Sequence, residues 1–178
     1  MEQSSTMKKT TSKKAPSKAP SAAHPMEGKP APDFELPDAA GHAVKLRELT
    51  AKGNLVIYFY PKDMTPGCTR EACDFRDNLS RLRAAGAQVV GVSNDQPQLH
   101  EKFAAKYELN FPLLSDADKG VVKAYGVFKK KSLYGREFMG IERTTFVIDR
   151  KGMVRKVFPK VKVDGHAAAV LDALKELS

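Results

Sequence analysis

The feature that most constrains this chain is the placement of its two cysteines, Cys68 and Cys73, directly after an apolar segment at positions 54–60. The Val, Ile and aromatic residues of that segment predict a buried strand. A Pro-Gly pair at positions 66–67 then interrupts the pattern, and helical spacing follows over 69–84. The sequence therefore predicts that a buried strand delivers Cys68 to the first turn of a helix.

The predicted position of Cys68 favours a thiolate over a thiol. The first N–H groups of a helix have no partner within the helix and carry partial positive charge, so they stabilise an anion. Thr65 is expected at the N-cap and Pro66 at the first helical position, which makes Cys68 the third helical residue. Two buried structural cysteines remain an alternative on spacing alone, since free cysteine is commonly a small core residue.

The spacing of the two cysteines limits how they can react with each other. In an intact helix, residues five apart have Cα atoms roughly 8.5 Å apart, beyond the about 7 Å that a disulfide tolerates. A disulfide between Cys68 and Cys73 would therefore require the first helical turns to unwind. Gly67 beside Pro66 offers a natural hinge for that opening.

The segment from Phe59 to Asp77 resembles the active-site segment of peroxiredoxins, and most closely that of the PrxQ, or bacterioferritin comigratory protein, subfamily. The family pattern Pro-x-x-x-Thr-x-x-Cys is present as Pro61, Thr65 and Cys68, and the Cys-x-x-x-x-Cys pair is the mark of the subfamily. The resemblance covers roughly residues 27–178. Three further segments agree with it: 31–34, 111–116 and 140–149.

The resemblance implies a two-cysteine peroxidase cycle. Cys68 matches the peroxidatic cysteine, which attacks a hydroperoxide and becomes a sulfenic acid. Cys73 matches the resolving cysteine, which attacks the sulfenic acid and closes an intramolecular disulfide. A thioredoxin or a similar dithiol would reopen that disulfide. No organic cofactor or metal is implied, and the two cysteines show no zinc spacing with the four histidines His24, His42, His100 and His166.

The resemblance also implies roles for four residues around the sulfur. Thr65 matches the threonine that contacts the sulfur and the peroxide, and Pro61 the proline that shields the sulfur from water. Arg143 matches the arginine that holds the thiolate and the peroxide, a task suited to a permanently charged fork of donors. Glu71 matches an acidic position that can orient Arg143. Without the resemblance, Arg143 would be one arginine among many.

The remainder of the chain predicts one α/β domain over residues 26–178. The resemblance makes the expected fold thioredoxin-like, with a central mixed β-sheet flanked by helices, and a monomer is expected because PrxQ-like proteins are often monomeric. Further strands are predicted at 88–93, 113–114, 144–148 and 153–158, and further helices at 97–107, 120–125 and from 165 onward.

Residues 1–25 are predicted to be a disordered tail, because they are built largely from Lys, Ser, Thr, Ala and Pro and cannot bury enough apolar surface to fold. Six lysines against two glutamates give residues 1–30 a charge of +4, out of +9 for the whole chain. Salt-dependent contact with nucleic acid is the less favoured interpretation of that charge. No run of apolar residues in the sequence is long enough to span a membrane, and no secretory signal is recognised. We therefore expect a cytoplasmic protein without a membrane partner.

Two other functional classes remain open from the sequence. One is a general thiol–disulfide oxidoreductase acting on proteins, against which the Cys68–Cys73 spacing argues. The other is a nucleic-acid-associated protein in which the basic tail dominates. If the chain is a peroxidase, its preferred peroxide is expected to depend on a pocket around Phe59, Met64 and Phe138.

Overall fold

A mixed β-sheet forms the centre of the molecule in the computed structural model, which describes residues 24–177. In chain order the strands and helices are β1 (Glu35–Pro37), β2 (Ala43–Lys45), α1 (Leu46–Lys52), β3 (Asn54–Phe59), α2 (Pro66–Ala84), β4 (Ala87–Ser93), α3 (Pro97–Tyr107), β5 (Leu113–Ser115), α4 (Gly120–Ala124), β6 (Phe128–Leu133), β7 (Arg136–Ile141), β8 (Thr144–Ile148), β9 (Val154–Phe158) and α5 (His166–Lys175). The central sheet has the order β5-β4-β3-β8-β9, with β3 parallel to β4 and antiparallel to β8. The predicted α/β class with a central mixed sheet is confirmed.

Strand β3 lies in the middle of the sheet, and both of its faces are covered. Every residue from Leu55 to Phe59 is buried, which explains why the segment is continuously apolar rather than alternating. Its odd-numbered side chains pack with residues of α1 and α4. Its even-numbered side chains pack with residues of α2, α3 and α5, and Cys68 belongs to this second cluster. The sheet therefore has helices on each side.

Most predicted elements differ from the observed ones only at their terminal residues. The helix over 97–107 and the strand over 144–148 have the predicted bounds. The strands predicted at 144–148 and 153–158 correspond to β8 and β9, which pair in antiparallel orientation. Strands β1, β2, β6 and β7 and helix α1 were not predicted, because these segments are short or carry mainly polar residues.

Strands β6 and β7 form a two-stranded sheet of their own, called here the β6–β7 hairpin (residues 128–141). Tyr134 and Gly135 connect the strands with φ angles of 52° and 78°. Left-handed backbone at both positions is what a two-residue hairpin turn of type I′ requires.

The predicted tail at 1–25 lies outside the described residues apart from His24 and Pro25. Its disorder, and the division of the chain at residue 26, stay predictions. Within residues 24–177, no helix combines the length and apolar character needed to cross a bilayer.

Candidate active site

Cys68 lies at the third position of α2, directly beyond the loop that follows β3. Thr65 is the N-cap residue, with an extended backbone (ψ 153°), and Pro66 is the first helical residue, so the predicted register is confirmed. Thr65 does not cap the helix with its side chain. Its hydroxyl instead donates to the carbonyl oxygen of Lys62 at 2.9 Å, which leaves the hydroxyl lone pairs free to accept a hydrogen bond.

Both cysteines are free thiols in this structure, and they differ in exposure. The Cys68 residue is 1% exposed, whereas Cys73 is half-buried. Both lie within the continuous helix α2, so their sulfurs cannot bond while its first turns are intact. The helix geometry therefore agrees with the unwinding requirement derived from the spacing.

Arg143 reaches the first turns of α2 from the residue just before β8. Its Nη1 donates to Oε1 of Glu71 at 2.7 Å. A Cβ atom placed on Gly67 would lie 3.0 Å from Arg143 Nη2, so the guanidinium packs against the turn that carries Cys68. Burial lowers the pKa of Arg143, but the nearby Glu71 carboxylate and Cys68 sulfur outweigh that effect, and the pKa is raised. The fold therefore brings Cys68, Glu71 and Arg143 together.

Glu71 supplies the carboxyl group of this cluster, and the residue is only 1% exposed. Oε2 of Glu71 is buried and has no hydrogen-bond partner among the described residues. Burial raises the pKa of Glu71 to about 7, although the charge and hydrogen bond of Arg143 act in the opposite direction. The Glu71 carboxyl therefore changes protonation near neutral pH, while Arg143 stays charged.

A buried hydrogen-bond network holds the loop that contains Pro61 and Thr65. The Asp63 carboxylate accepts from the Tyr60 hydroxyl at 2.5 Å and contacts Nδ1 of His100 at 2.6 Å. The backbone N–H of Asp63 donates to Oδ2 of Asp95 at 2.7 Å. The network therefore fixes the loop to α3 and to the segment after β4. Sequence reasoning did not find it, because its members lie far apart in the chain and carry no local motif.

Asp63, Asp95 and His100 have possible ligand atoms within 4.8 Å of one another, a geometry that could suit a metal ion. However, Nε2 of His100 lies 3.0 Å from the carbonyl oxygen of Leu114. A carbonyl oxygen only accepts, so Nε2 carries a proton. Because Nδ1 is occupied by Asp63, neither ring nitrogen is available to a metal. The cluster is a hydrogen-bond network.

A cavity of about 520 Å³ opens beside the site. Lys131 lines it, and burial and Arg143 lower the pKa of this lysine, while the charges of Cys68 and Glu142 act in the opposite direction. Phe138 lines the cavity as expected, whereas Met64 is not among its lining residues. Phe59 does not line it either: it is fully buried between Tyr125 and Phe146 on the other face of the sheet, so the expectation for this residue is wrong. The full lining is Pro61, Lys62, Asn94, Asp95, Lys119, Phe128, Lys131, Phe138, Met139, Gly140 and Ile141.

Comparisons with known proteins agree with this arrangement. The model of the AhpC/TSA family matches residues 28–157. Peroxiredoxin Bcp of Bacillus subtilis is 48% identical over 151 residues, which cover 85% of this chain and 96% of that protein. Peroxiredoxin Bcp of Escherichia coli is 45% identical over 146 residues, covering 82% and 93%.

Solved structures give the same result. Peroxiredoxin Q of Xanthomonas campestris superposes with a TM-score of 0.76 at 47% identity, covering 80% of this chain and 90% of that one. A second solved structure comes from work on the alkyl peroxide reduction activity of the bacterioferritin comigratory protein of the same organism. It matches with a TM-score of 0.76 at 46% identity, covering 81% of this chain and 91% of that one. These matches confirm that the fold is the predicted thioredoxin-like one.

Proposed function

The chain belongs to the AhpC/TSA family, within its peroxiredoxin Bcp or PrxQ branch, and from that premise we propose that Cys68 is the peroxidatic cysteine of a thiol-dependent peroxidase. One observation carries this assignment. The Cys68 sulfur is buried in the first turn of α2, with the Arg143 guanidinium packed against the same turn. Helix N–H groups and a fixed cation both stabilise a thiolate.

In the first step, the Cys68 thiolate attacks the terminal oxygen of a hydroperoxide. An S–O bond forms as the O–O bond breaks, the sulfur is oxidised to a sulfenic acid, and the leaving oxygen takes up a proton and departs as water or an alcohol. Arg143 stabilises the thiolate and the charge on the leaving oxygen. Thr65 accepts a hydrogen bond from the peroxide, Pro61 shields the sulfur from water, and Glu71 positions Arg143.

In the second step, Cys73 attacks the Cys68 sulfenic acid, an S–S bond forms, and water leaves as the S–O bond breaks. This step requires the start of α2 to open. Three contacts of the helix would then be lost: the Arg143–Glu71 ion pair, the Arg70–Asp164 ion pair, and the hydrogen bond from the Ala167 N–H to Asp74. All three contacts join α2 to residues between Arg143 and the start of α5. The opening of α2 therefore changes contacts with this one segment.

A dithiol protein such as thioredoxin would then reduce the disulfide by thiol–disulfide exchange. The substrate class is hydrogen peroxide and organic hydroperoxides, for which the study of alkyl peroxide reduction by the Xanthomonas relative gives support. A cycle that needs reducing equivalents suits the cytoplasm. We propose a monomer, because the opening of α2 and the attack by Cys73 both occur within one chain.

Two cysteine variants test the proposal. Cys68→Ser is expected to abolish turnover with hydrogen peroxide. Cys73→Ser is expected to consume one equivalent of peroxide and then to stop, even with thioredoxin present. Retained thioredoxin-dependent turnover by the Cys73 variant would refute the resolving role. The alternative, a general oxidoreductase of protein disulfides, requires insulin reduction by the wild-type protein, which the burial of Cys68 disfavours.

A further inference from the structure

The large apolar side chains that are exposed in the described part of the chain are concentrated in one region. Four lie on the β6–β7 hairpin, and the fifth lies in the loop before α2. Single exposed apolar residues are common on soluble proteins, but a group of them marks an interaction surface. These residues are Met64, Leu133, Tyr134, Phe138 and Met139.

The same hairpin is strongly basic. Residues 128–141 contain three lysines and one arginine against a single glutamate, which gives a net charge of +3. Lys130 is paired with Glu137 at 3.5 Å, with both side chains about two-thirds exposed, so solvent screens this contact. A partner of this surface must therefore present both negative charge and apolar groups.

The apolar and basic residues are arranged in order along the hairpin. Leu133 and Tyr134 form its tip and are 56% and 94% exposed, and every residue from 132 to 139 is exposed. Arg136 follows the tip directly, and the lysines lie behind it at 129–131. A bilayer has the same order of layers, with acyl chains inside, aromatic side chains favoured at the interface, and anionic headgroups outside.

We propose that the β6–β7 hairpin docks on the surface of an anionic lipid bilayer. Leu133 enters the acyl region, Tyr134 lies at the interface, and the basic residues contact the headgroups. A flat, acidic protein surface would cover the lysine-rich stem but would leave the tip in water, which is why the bilayer is the better occupant. The proposal departs from the sequence-based expectation of no membrane partner, and it requires no spanning helix because the contact is peripheral.

The hairpin connects the bilayer surface to the cavity beside Cys68. Phe138 and Met139 belong to both the exposed patch and the cavity lining, and Pro61 lines the same cavity. If the proposed peroxidase function holds, a peroxidised acyl chain could follow the apolar side chains of Phe138 and Met139 from the bilayer into this cavity. Vesicle binding itself does not depend on that function.

Flotation of the full chain with vesicles tests the docking surface. Binding is expected to vesicles of phosphatidylcholine mixed with phosphatidylglycerol, and to be weak to pure phosphatidylcholine. Leu133→Ser with Tyr134→Ser should lower partitioning to the mixed vesicles about tenfold or more, and Lys130→Ser with Arg136→Ser should do the same, since each basic residue contributes roughly a fivefold effect near an anionic surface. Turnover of hydrogen peroxide by both variants should stay at the wild-type level.

A charge-matched control separates the hairpin from the general basic character of the chain. Lys102→Ser with Lys151→Ser removes the same charge from exposed positions on α3 and on the β8–β9 turn, and it should change partitioning about twofold or less. Equal losses in this control and in the hairpin charge variant would overturn the proposal. So would wild-type partitioning by the Leu133/Tyr134 double variant, which would assign binding to charge alone.

A fluorescent probe tests insertion directly, because the chain contains no tryptophan. The emission of Leu133→Trp should shift to shorter wavelength with mixed vesicles and stay unchanged with pure phosphatidylcholine. No shift with mixed vesicles would overturn the insertion of the tip. If the Leu133/Tyr134 variant kept vesicle binding but lost a self-association shown by the wild type, or had a raised KM for the dithiol reductant, the patch would belong to a protein partner. Either result would also overturn the proposal.

Discussion

The buried carboxyl of Glu71 makes the stability of the reduced protein depend on pH in a way that Glu71→Gln should remove. Glu71 has one oxygen bonded to Arg143 and one without a partner, and burial raises its pKa from 4.5 to about 7. Below pH 4.5 the carboxyl is protonated in both the folded and the unfolded state. Between these two pKa values only the unfolded state ionises, so folding stability falls as pH rises, and it levels off above pH 7.

The size of this effect follows from the shift in pKa. Each unit of pKa difference corresponds to about 1.4 kcal/mol, so ionisation of Glu71 lowers the free energy of unfolding by about 2–3 kcal/mol between pH 5 and pH 8. Glutamine cannot ionise, so the variant lacks this loss. Since Glu71 lies between Cys68 and Cys73, its ionisation also favours the opening of α2 as pH rises.

His166 changes the folding stability with pH in the opposite direction, so its contribution must be separated from that of Glu71. Burial and Arg143 lower its pKa to about 4, so the unfolded state takes up a proton first as pH falls below about 6.5, and stability declines on the acid side. The His166 contribution is present in both the wild type and the Glu71 variant. The difference between the two proteins therefore isolates Glu71.

Urea unfolding of both reduced proteins at pH 5 and pH 8 measures the effect. We subtract the unfolding free energy of Glu71→Gln from that of the wild type. This difference should be about 2–3 kcal/mol lower at pH 8 than at pH 5. Glu137→Gln, at an exposed ion pair with Lys130, serves as the control and should retain the wild-type pH dependence. A difference between wild type and Glu71→Gln that stays constant with pH would refute the reasoning.

Three further predictions concern the supports of the site. Gly67→Ala places a methyl group 3.0 Å from Arg143 Nη2 and should lower kcat/KM for hydrogen peroxide about tenfold, as for a misplaced catalytic group; an unchanged value, as expected for Gly120→Ala, would show that Arg143 adjusts freely. His100→Asn removes the imidazole from Oδ2 of the buried Asp63 carboxylate, while the Tyr60 hydroxyl still donates to Oδ1, and should cost about 3–5 kcal/mol in urea unfolding. In contrast, His42→Asn, at an exposed pair, should cost about 1 kcal/mol or less. Phe59→Leu should cost about 1.5 kcal/mol of stability without changing the preference between cumene hydroperoxide and hydrogen peroxide. Phe138→Ala should change that preference, and a change in the Phe59 variant alone would contradict the cavity described here.

The sequence predicted those features that depend on local pattern. The burial of β3, the N-cap at Thr65 and the third-residue position of Cys68 all follow from the order of apolar residues, proline and glycine over one short segment. The amphipathic helix α3 was predicted with its observed bounds for the same reason. Local spacing also predicted that the two cysteines cannot bond within an intact helix.

Features that depend on distant contacts could not be predicted from local pattern. Arg143 and Glu71 are 72 residues apart, and only the family resemblance singled them out. His100 and Asp63 are 37 residues apart and have no sequence signature. The β6–β7 hairpin was missed because its strands lack a buried face and therefore lack apolar alternation.

The most direct test of the central claim is a single turnover of the reduced protein with one equivalent of hydrogen peroxide, followed by intact mass and thiol count. We predict rapid loss of both thiols and of two hydrogen atoms from the mass, without a covalent dimer, since the disulfide forms between Cys68 and Cys73 of one chain. Two thiols that remain unreacted over minutes would contradict the account, because Cys68 would then not be an activated nucleophile.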